Sequence, residues 1–380
     1  MGYQLGIDLG TTYSAAAVAR DGRVEVVGLG NRAPVVPSVV FLREDEMVLT
    51  GEAAQRRAVT EPERIAREFK RRVGDPTPVL LGGTPYSAEA LMAKLLRGVF
   101  DVAAASQGGE PDAVAVSHPA NWGPYKKDLL QQSVRLAGLS DARLITEPEA
   151  AAVFYASQER VEPGSVIAVY DLGGGTFDAA ILRKLTVGFE LMGVPEGIER
   201  LGGIDFDAAV LAHVNRSLDG ALEDLDLTDQ TMLGAVARLR ADCVEAKEAL
   251  SVDTEVSIPV MLPELRTEVR LTRVELEAMI RPTLLETLGA LRRALASAGV
   301  TPEQVSTVLL VGGSSRIPLV GELVGHTLGR PVAVDAHPKH SVALGAALAA
   351  AGTVGAAEGL GPSIDPVVGS GAPSGAAAAA

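Results

Sequence analysis

The chain has 380 residues, enough to bury a substantial core and to form two or three domains. Its formal charge of -14 argues against a general binder of nucleic acid or of anionic membranes. The single cysteine, Cys243, excludes an intramolecular disulfide, is compatible with the cytoplasm and is expected to be a small core residue. No secretion signal or membrane span is recognised, so we expect a cytoplasmic protein.

The N-terminal stretch, residues 4–18, has the pattern of a strand, a polar turn and a second strand. One apolar run ends at Asp8, and Gly10, Thr11, Thr12 and Tyr13 precede the next. Glycine lets main-chain N–H groups approach an anion, and the hydroxyl side chains add further donors. The turn is therefore a candidate phosphate cradle, with Asp8 at its edge as a candidate partner for a metal ion or its water shell.

The next segments should complete a first group of elements. Strands are predicted at residues 23–27 and 35–42. From residue 51 to residue 73 the pattern becomes helical and basic, and Lys70 lies in this part. From the sequence alone a basic run is usually a solvated face, so the pattern by itself does not assign a catalytic role to Lys70.

Alternating helices and strands follow. Helices are predicted at 87–105 and from Pro124 to about 137, with a buried strand at 113–117 between them. Glu147 precedes another helix, where the helix dipole favours an acidic residue whatever its function.

Residues 166–182 repeat the N-terminal pattern. An apolar run ends at Asp171, the glycines 173–175 and Thr176 follow, and a second apolar run begins after Asp178. One glycine-rich turn is a weak signal, because most such turns are ordinary hairpins. Two copies are a stronger signal. They predict an internal repeat in which Asp8 and Asp171 face one polyphosphate from two sides.

The remaining chain adds helices, a hairpin and a third glycine motif. Helices are predicted at 205–218 and 229–250, strands within 255–271, and capping boxes at Thr272/Glu275 and Thr301/Gln304. An apolar strand at 305–311 leads into the glycine motif, Gly312 to Pro318, and then into a helical pattern at 319–328. A strand, glycines and a helix start place free N–H groups where a ligand can approach. After residue 352 the composition becomes rich in Gly and Ala, and we expect residues 353–380 to be disordered.

Taken together, these motifs resemble the nucleotide-binding domain of the seventy-kilodalton heat-shock chaperones, the DnaK-like family. The matching strings are residues 6–14, 30–32, 147–148, 171–178, 201–203 with 205–207, and 312–318. The resemblance implies the α/β, two-lobed actin-like ATPase fold, with duplicated ribonuclease H-like lobes around a nucleotide cleft. Expected units are lobe I (1–162), lobe II (163–338, with a projecting subdomain at about 201–275) and a final helix at 339–352 that returns to lobe I.

The resemblance also implies roles for individual residues. Asp8 and Asp171 would hold hydrated Mg²⁺, and Lys70 would reach the γ-phosphate while Thr176 and Glu147 help to place the attacking water. Pro119 would relay the nucleotide state from Glu147 to a partner domain. The expected nucleotide contacts are Gly10, Thr11, Thr12, Tyr13, Gly173, Gly174, Gly175, Gly202, Gly203, Lys247, Ser251, Gly312, Gly313, Ser314 and Arg316.

Several positions depart from the family pattern. The family has arginine where this chain has Lys127, an acid at Val244, often a basic residue at Glu248, and aspartate at Lys339. Lys127 keeps the charge but loses the planar fork, so a relay from Pro119 should be weaker. The others alter the adenosine end, so we expect retained nucleotide binding with a changed base affinity. The family's peptide-gripping β-sandwich is expected to be missing from this chain.

We therefore expect an ATP-binding, slowly ATP-hydrolysing switch of chaperone type that uses ATP/ADP and Mg²⁺, with K⁺ as a further candidate ion. A monomer is expected, with a J-domain-type co-chaperone or a nucleotide-exchange factor as partner. Two alternatives stay open. One is a nucleotide-dependent docking module with vestigial hydrolysis, and the other is a filament protein or sugar kinase of the same fold.

Overall fold

The computed structural model describes residues 2–31, 33–58, 60–226, 229–334 and 340–352. We call residues 4–158 the first lobe and residues 166–334 the second lobe. The predicted tail at 353–380 and Lys339 lie outside the described residues.

The first lobe combines a mixed sheet with flanking helices and small satellite sheets. Its strands are β1 (Gln4–Leu9), β2 (Tyr13–Arg20), β3 (Arg23–Val26), β4 (Val36–Pro37), β5 (Val40–Leu42), β6 (Val48–Thr50), β7 (Ile65–Ala66), β8 (Val79–Leu81), β9 (Thr84–Tyr86), β10 (Ala113–His118) and β11 (Arg143–Thr146). Its helices are α1 (Gly51–Arg57), α2 (Ala88–Gln107), α3 (Pro124–Leu136) and α4 (Glu147–Gln158).

The second lobe repeats this arrangement and adds a projecting hairpin. Its strands are β12 (Val166–Leu172), β13 (Phe177–Lys184), β14 (Phe189–Ile198), β15 (Glu255–Leu262), β16 (Leu265–Thr272), β17 (Val305–Val311) and β18 (Val332–Val334). Its helices are α5 (Gly203–Ser217), α6 (Gln230–Ala249), α7 (Arg273–Ser297) and α8 (Pro318–Leu328), and α9 (Ser341–Ala350) follows them.

The two central sheets have the same topology. The strand order is β11-β10-β1-β2-β3 in the first lobe and β18-β17-β12-β13-β14 in the second. In each, the middle strand pairs antiparallel with the strand that follows its turn and parallel with its other neighbour. The sequence repeat is therefore a repeat of structure. It confirms the predicted hairpins and the duplicated two-lobed α/β fold.

Small residues let helices α4 and α9 pack closely between the two sheets. A Cβ on Gly345 would lie 1.8 Å from the carbonyl oxygen of Ala150, and one on Gly6 would lie 2.2 Å from the backbone nitrogen of Ala347. One apolar cluster here contains side chains of both lobes, including Ala115 and Ile167. The lobes therefore share an apolar core behind the cleft. Any movement of one lobe relative to the other would pivot about this core.

Local sequence signals account for most helix starts. The side chain of Ser87 accepts a hydrogen bond from the backbone N–H of Ala90, and Thr272 with Glu275 forms a complete capping box at α7. In the projecting hairpin, strand β15 buries alternate residues and packs against α6, as the period of two predicts.

Two predicted segments differ from the structure. The helical pattern expected at 51–73 holds only in part, because the segment forms α1, two 3₁₀ turns (Pro62–Arg64 and Phe69–Arg72) and the short strand β7. Pro62 interrupts a continuous helix, and β7 pairs with β5, so sheet pairing overrides the helical pattern. The strand expected at 35–42 is divided into β4 and β5, which join different sheets.

Cys243 is buried, and burial raises the pKa of its thiol to about 12, which confirms the core role. Within the described ranges, no helix has the length and hydropathy needed to cross a bilayer.

Candidate active site

A cleft of about 600 Å³ lies between the lobes and collects most of the predicted site residues. The predicted residues that line it are Asp8, Gly10, Thr11, Thr12, Tyr13, Lys70, Glu147, Asp171, Gly173, Gly174, Thr176, Gly203, Lys247, Ser251, Gly312, Gly313 and Ser314. Gly175 and Gly202 pack on each other beside the lining, since a Cβ on Gly202 would lie 2.7 Å from the nitrogen of Gly175. Arg316 is exposed and is not among the lining residues.

The two repeated strands bring their carboxylates to this cleft. Asp8 lies near the end of β1 and accepts a hydrogen bond of 2.7 Å from Ser117 Oγ. Burial, followed by the charge of Glu147, raises the Asp8 pKa to about 6. Burial also raises the Asp171 pKa well above its usual range, and the charges of Glu147 and Asp8 raise it further. The carboxylates are therefore close enough to repel one another, and a cation between them would remove that repulsion.

Asp178, which pairs with Asp171 across the β12–β13 hairpin, extends the acidic group. Its side chain is buried, and its Oδ1 has no hydrogen-bond partner within the described structure. Burial raises its pKa well above the usual range, with Glu147 and Asp171 adding to the effect.

Lys70 forms a buried ion pair with Glu147. The Lys70 Nζ atom lies 2.7 Å from Glu147 Oε1, and both side chains are 8% exposed. Burial alone would lower the Lys70 pKa, but Glu147 and Asp8 together raise it. The ammonium group therefore stays charged inside the cleft. Lys70 lies on a 3₁₀ turn, and Glu147 is the first residue of α4, whose N-cap is Thr146.

The second glycine turn has its carbonyl groups anchored. Gly173 O accepts hydrogen bonds from Gly203 N and Ser314 Oγ, and Gly174 O accepts one from Ile204 N. Gly175 O accepts one of 2.7 Å from Arg71 Nε. Because a trans peptide is planar, each anchored carbonyl turns the next N–H to the opposite side.

The N–H groups so oriented belong to Gly174, Gly175 and Thr176. None of them donates a hydrogen bond to another group in the described part of the chain. Successive N–H groups of this kind form an anion-binding concavity. The geometry therefore fits the predicted phosphate cradle.

The first turn lies against the second one. A Cβ on Gly174 would be 2.1 Å from Thr12 Oγ1, and one on Gly175 would be 2.4 Å from Thr11 Cγ2. The Thr12 Oγ1 atom is buried and has no hydrogen-bond partner among the described residues. A buried hydroxyl group without a partner is costly, and a bound phosphate oxygen would supply one.

The third glycine motif is attached to the same turn. Gly312 has φ of 83°, and a Cβ there would lie 2.4 Å from Leu172 O and 2.5 Å from Asp171 Oδ1. The left-handed backbone and the close approach to the end of β12 both require glycine. Two residues after Gly312, Ser314 donates a hydrogen bond through its Oγ atom to Gly173 O.

Helix α6 forms one wall at the predicted nucleoside end. Ala241, Val244, Glu245 and Glu248 line the cleft at a spacing of three and four, which places them on one helix face. Lys247 forms an ion pair of 2.6 Å with Asp207 and donates a hydrogen bond to Gly203 O. Its charge is therefore already compensated.

Tyr13 faces this wall from the first lobe. Burial raises its pKa, and the carboxylates of Glu248 and Asp207 raise it further, which indicates that they lie nearby.

Sequence reasoning missed several lining residues. The first lobe contributes Gln55 and Arg67, joined by a hydrogen bond of 2.7 Å, and the second contributes Asp207 and Glu245. Asp207 lies within the matched string 205–207, which was a usable signal. Gln55 and Arg67 lie in the segment 51–73, whose helical pattern does not predict the turns that bring them to the cleft.

The donor set fits a hydrated divalent cation. Carboxylates outnumber basic side chains in the lining: Asp8, Glu147, Asp171, Asp207, Glu245 and Glu248 stand against Arg67, Lys70 and Lys247. A polyphosphate entering such a cleft requires additional positive charge. Within the described ranges, no group of three or more metal-ligating side chains is arranged as a cage. Mg²⁺ suits this setting because it retains several waters and uses few protein ligands.

The predicted relay residue Pro119 comes two residues after Ser117, which donates the hydrogen bond to Asp8. Pro119 is buried, and its carbonyl oxygen accepts hydrogen bonds from His118 Nδ1 and Trp122 N. Burial lowers the His118 pKa to about 4, so its ring is neutral at pH 7. Lys127 is half-buried, and its relay role stays a prediction.

The sequence matches the family model described as Hsp70 protein. The match covers residues 4–78 and 76–360, which is most of the chain and includes every residue of the cleft.

Proposed function

We propose that this chain, which belongs to the Hsp70 family, binds ATP with Mg²⁺ in the cleft and hydrolyses it slowly as a chaperone nucleotide switch. Members of this family are ATPases.

One observation carries the proposal. Two copies of the same strand-turn-strand unit present Asp8 and Asp171 to one cleft, and their turns touch through Thr12 and Gly174. Phosphoryl transfer needs little covalent chemistry from the protein, because alignment and charge compensation supply most of the acceleration. Paired turns and paired carboxylates meet both needs.

The roles of the residues follow from their positions. The N–H groups of Gly174, Gly175 and Thr176 would donate hydrogen bonds to phosphate oxygens, as would the hydroxyl group of Thr12. Lys70 would stabilise the charge that develops on the γ-phosphate, while Glu147 holds its ammonium group in place. Thr176 and Glu147 would orient the attacking water.

Asp8 and Asp171 would hold the cation through its water shell. Bound Mg²⁺ would neutralise phosphate charge and help to orient the leaving group. The nucleoside would lie against α6, with Lys247, Ser251 and Tyr13 in reach. At this end Glu248 places a carboxylate where the family often has a basic residue, and Val244 places an apolar side chain where the family has an acid.

Hydrolysis would change the contacts that hold the lobes together, and the lobes would shift about their shared core behind the cleft. Members of the Hsp70 family usually work with J-domain proteins and nucleotide-exchange factors. We extend that expectation to this chain and propose that such partners regulate its nucleotide cycle.

The test is single-turnover hydrolysis of ATP by the purified protein, compared with Lys70→Ala and Lys70→Gln. We expect a slow wild-type rate and a loss of about 10²–10³-fold in both variants, because charge stabilisation in the transition state is removed. The Gln variant retains a hydrogen-bonding partner for the buried Glu147. A loss of activity in this variant is therefore not explained by misfolding around an unpaired carboxylate.

Arg43→Ala is the matched control, because Arg43 pairs with Asp45 at the surface of its own lobe. It should hydrolyse ATP at the wild-type rate. A wild-type rate no higher than that of the Lys70 variants, with ATP binding retained, would instead favour the docking module with vestigial hydrolysis.

A further inference from the structure

Arg71, which no motif had singled out, joins the two lobes at the phosphate site. It follows Lys70 on the 3₁₀ turn of the first lobe, and its side chain is 11% exposed. Its guanidinium group donates one hydrogen bond of 2.7 Å to Gly175 O and another of 2.9 Å to Asp205 Oδ2, both in the second lobe.

Asp205 connects this contact to the start of α5. Its Oδ2 atom also accepts a hydrogen bond of 2.8 Å from Gly202 N, as part of the helix N-terminal cap. The next residue, Gly203, donates through its N–H to Gly173 O. One planar side chain therefore contacts both the glycine turn and the helix cap that supports it, and a lysine could not form this fork.

The bond to Gly175 O decides the direction of an amide. Of the three anchored carbonyls in the turn, those of Gly173 and Gly174 are held by groups of the second lobe. Gly175 O is held by Arg71, across the cleft. Since the peptide is planar, this bond turns the N–H of Thr176 away from Arg71.

We propose that Arg71 is a positioning residue that completes the phosphate cradle across the cleft. It orients the Gly175–Thr176 peptide only when the lobes are as close as they are here, and it fixes the Lys70 turn relative to that peptide. Catalytic alignment is thereby coupled to lobe closure. The inference rests on the proposed ATPase for its kinetic consequence, but its structural part stands without nucleotide.

The first test is hydrogen exchange in the nucleotide-free protein, followed by mass spectrometry of peptides covering residues 172–206. Arg71→Ala should increase exchange in these peptides, because Gly203 N–H and Ile204 N–H are protected by the anchored turn. Arg72→Ala is the matched control. The contacts of Arg72 are with Thr77 O and Asp75 in its own lobe, so it should exchange like wild type.

The second test separates positioning from binding. Arg71→Ala should lower the single-turnover rate at saturating ATP by about 10–100-fold, because small misplacements of reacting groups are costly. Its ATP affinity should stay within a few fold of wild type. Asp205→Asn keeps an acceptor for Gly202 N–H but weakens the ion pair, so it should show a smaller loss of the same kind.

Equal exchange in Arg71→Ala and Arg72→Ala would overturn the inference, whether or not wild type hydrolyses ATP. If Arg71→Ala increases exchange but hydrolyses ATP at the wild-type rate, the contact exists but Arg71 does not position the catalytic groups, and the inference is overturned. If wild type does not hydrolyse ATP at all, the proposed function fails, and the exchange comparison still decides the Arg71 contact.

Discussion

Lys70 and the buried carboxylates around it form the chemical centre of the cleft. The charge of Glu147 raises the pKa values of Asp8, Asp171 and Asp178, while Lys70 opposes each of these shifts. Such a cluster is unfavourable without a ligand, since burial penalises every ionised carboxyl group. We infer that the carboxylate cluster destabilises the nucleotide-free protein but makes the cleft complementary in charge to metal-bound phosphate.

Asp8→Asn tests this interpretation through pH. Because the folded pKa of Asp8 is raised to about 6 from 3.8, the protonated carboxyl stabilises the fold below about pH 4, and this contribution is lost as pH rises through about 6. At neutral pH the neutral asparagine should therefore increase the free energy of unfolding of nucleotide-free protein, by about 3 kcal/mol.

Urea unfolding followed by the fluorescence of the single tryptophan, Trp122, gives the measurement. The gain should shrink towards zero as the pH approaches 4, where wild type is also protonated. A gain that does not change with pH would show that the ionised Asp8 is not its cause.

At the scale of elements, the touching turns set the geometry of the cleft. The second turn is anchored by α5, by Ser314 of the third glycine motif and by Arg71. The first turn presses Thr12 against Gly174. A small displacement of either turn would therefore move donors away from the phosphates.

Gly174→Ala should weaken nucleotide binding for this reason. The added Cβ would lie 2.1 Å from Thr12 Oγ1 and 2.9 Å from Thr12 Cβ, so the turns must separate. We expect at least a tenfold loss in affinity, equal to about 1.4 kcal/mol, measured by calorimetry with a non-hydrolysable ATP analogue.

Gly234→Ala is the control, since a Cβ at that position of α6 meets nothing within 4 Å. Equal affinities for the two variants would mean that the contact between the turns does not shape the site.

The hairpins could be predicted from sequence because their strands, glycines and acidic residues are local signals. Long-range pairing was harder to predict. The segment that carries Gln55, Arg67 and Lys70 has a helical pattern, yet β7 joins β5 and the chain turns to bring these residues to the cleft. The hydrogen bond from Arg71 to Gly175 O joins residues 104 positions apart, and no local sequence pattern predicts it.

At the scale of the whole molecule, duplication explains why one cleft receives two equivalent loops. In each central sheet the middle strand has an aspartate one position before its end and leads into a tight turn, and the shared core of α4 and α9 sets these edges face to face. Ion pairs such as Lys70–Glu147 lie within one lobe, while Arg71–Asp205 and Lys126–Glu199 cross between lobes. The ion pairs between the lobes must break when the lobes separate, so their presence indicates closure.

The most direct measurement is a crystal structure of the protein with Mg²⁺ and a non-hydrolysable ATP analogue. We expect one cation between Asp8 and Asp171, bound through water, with the triphosphate on the two glycine turns and Lys70 near the γ-phosphate. A ligand bound outside the cleft, or a cation that contacts neither aspartate through its waters, would contradict this expectation.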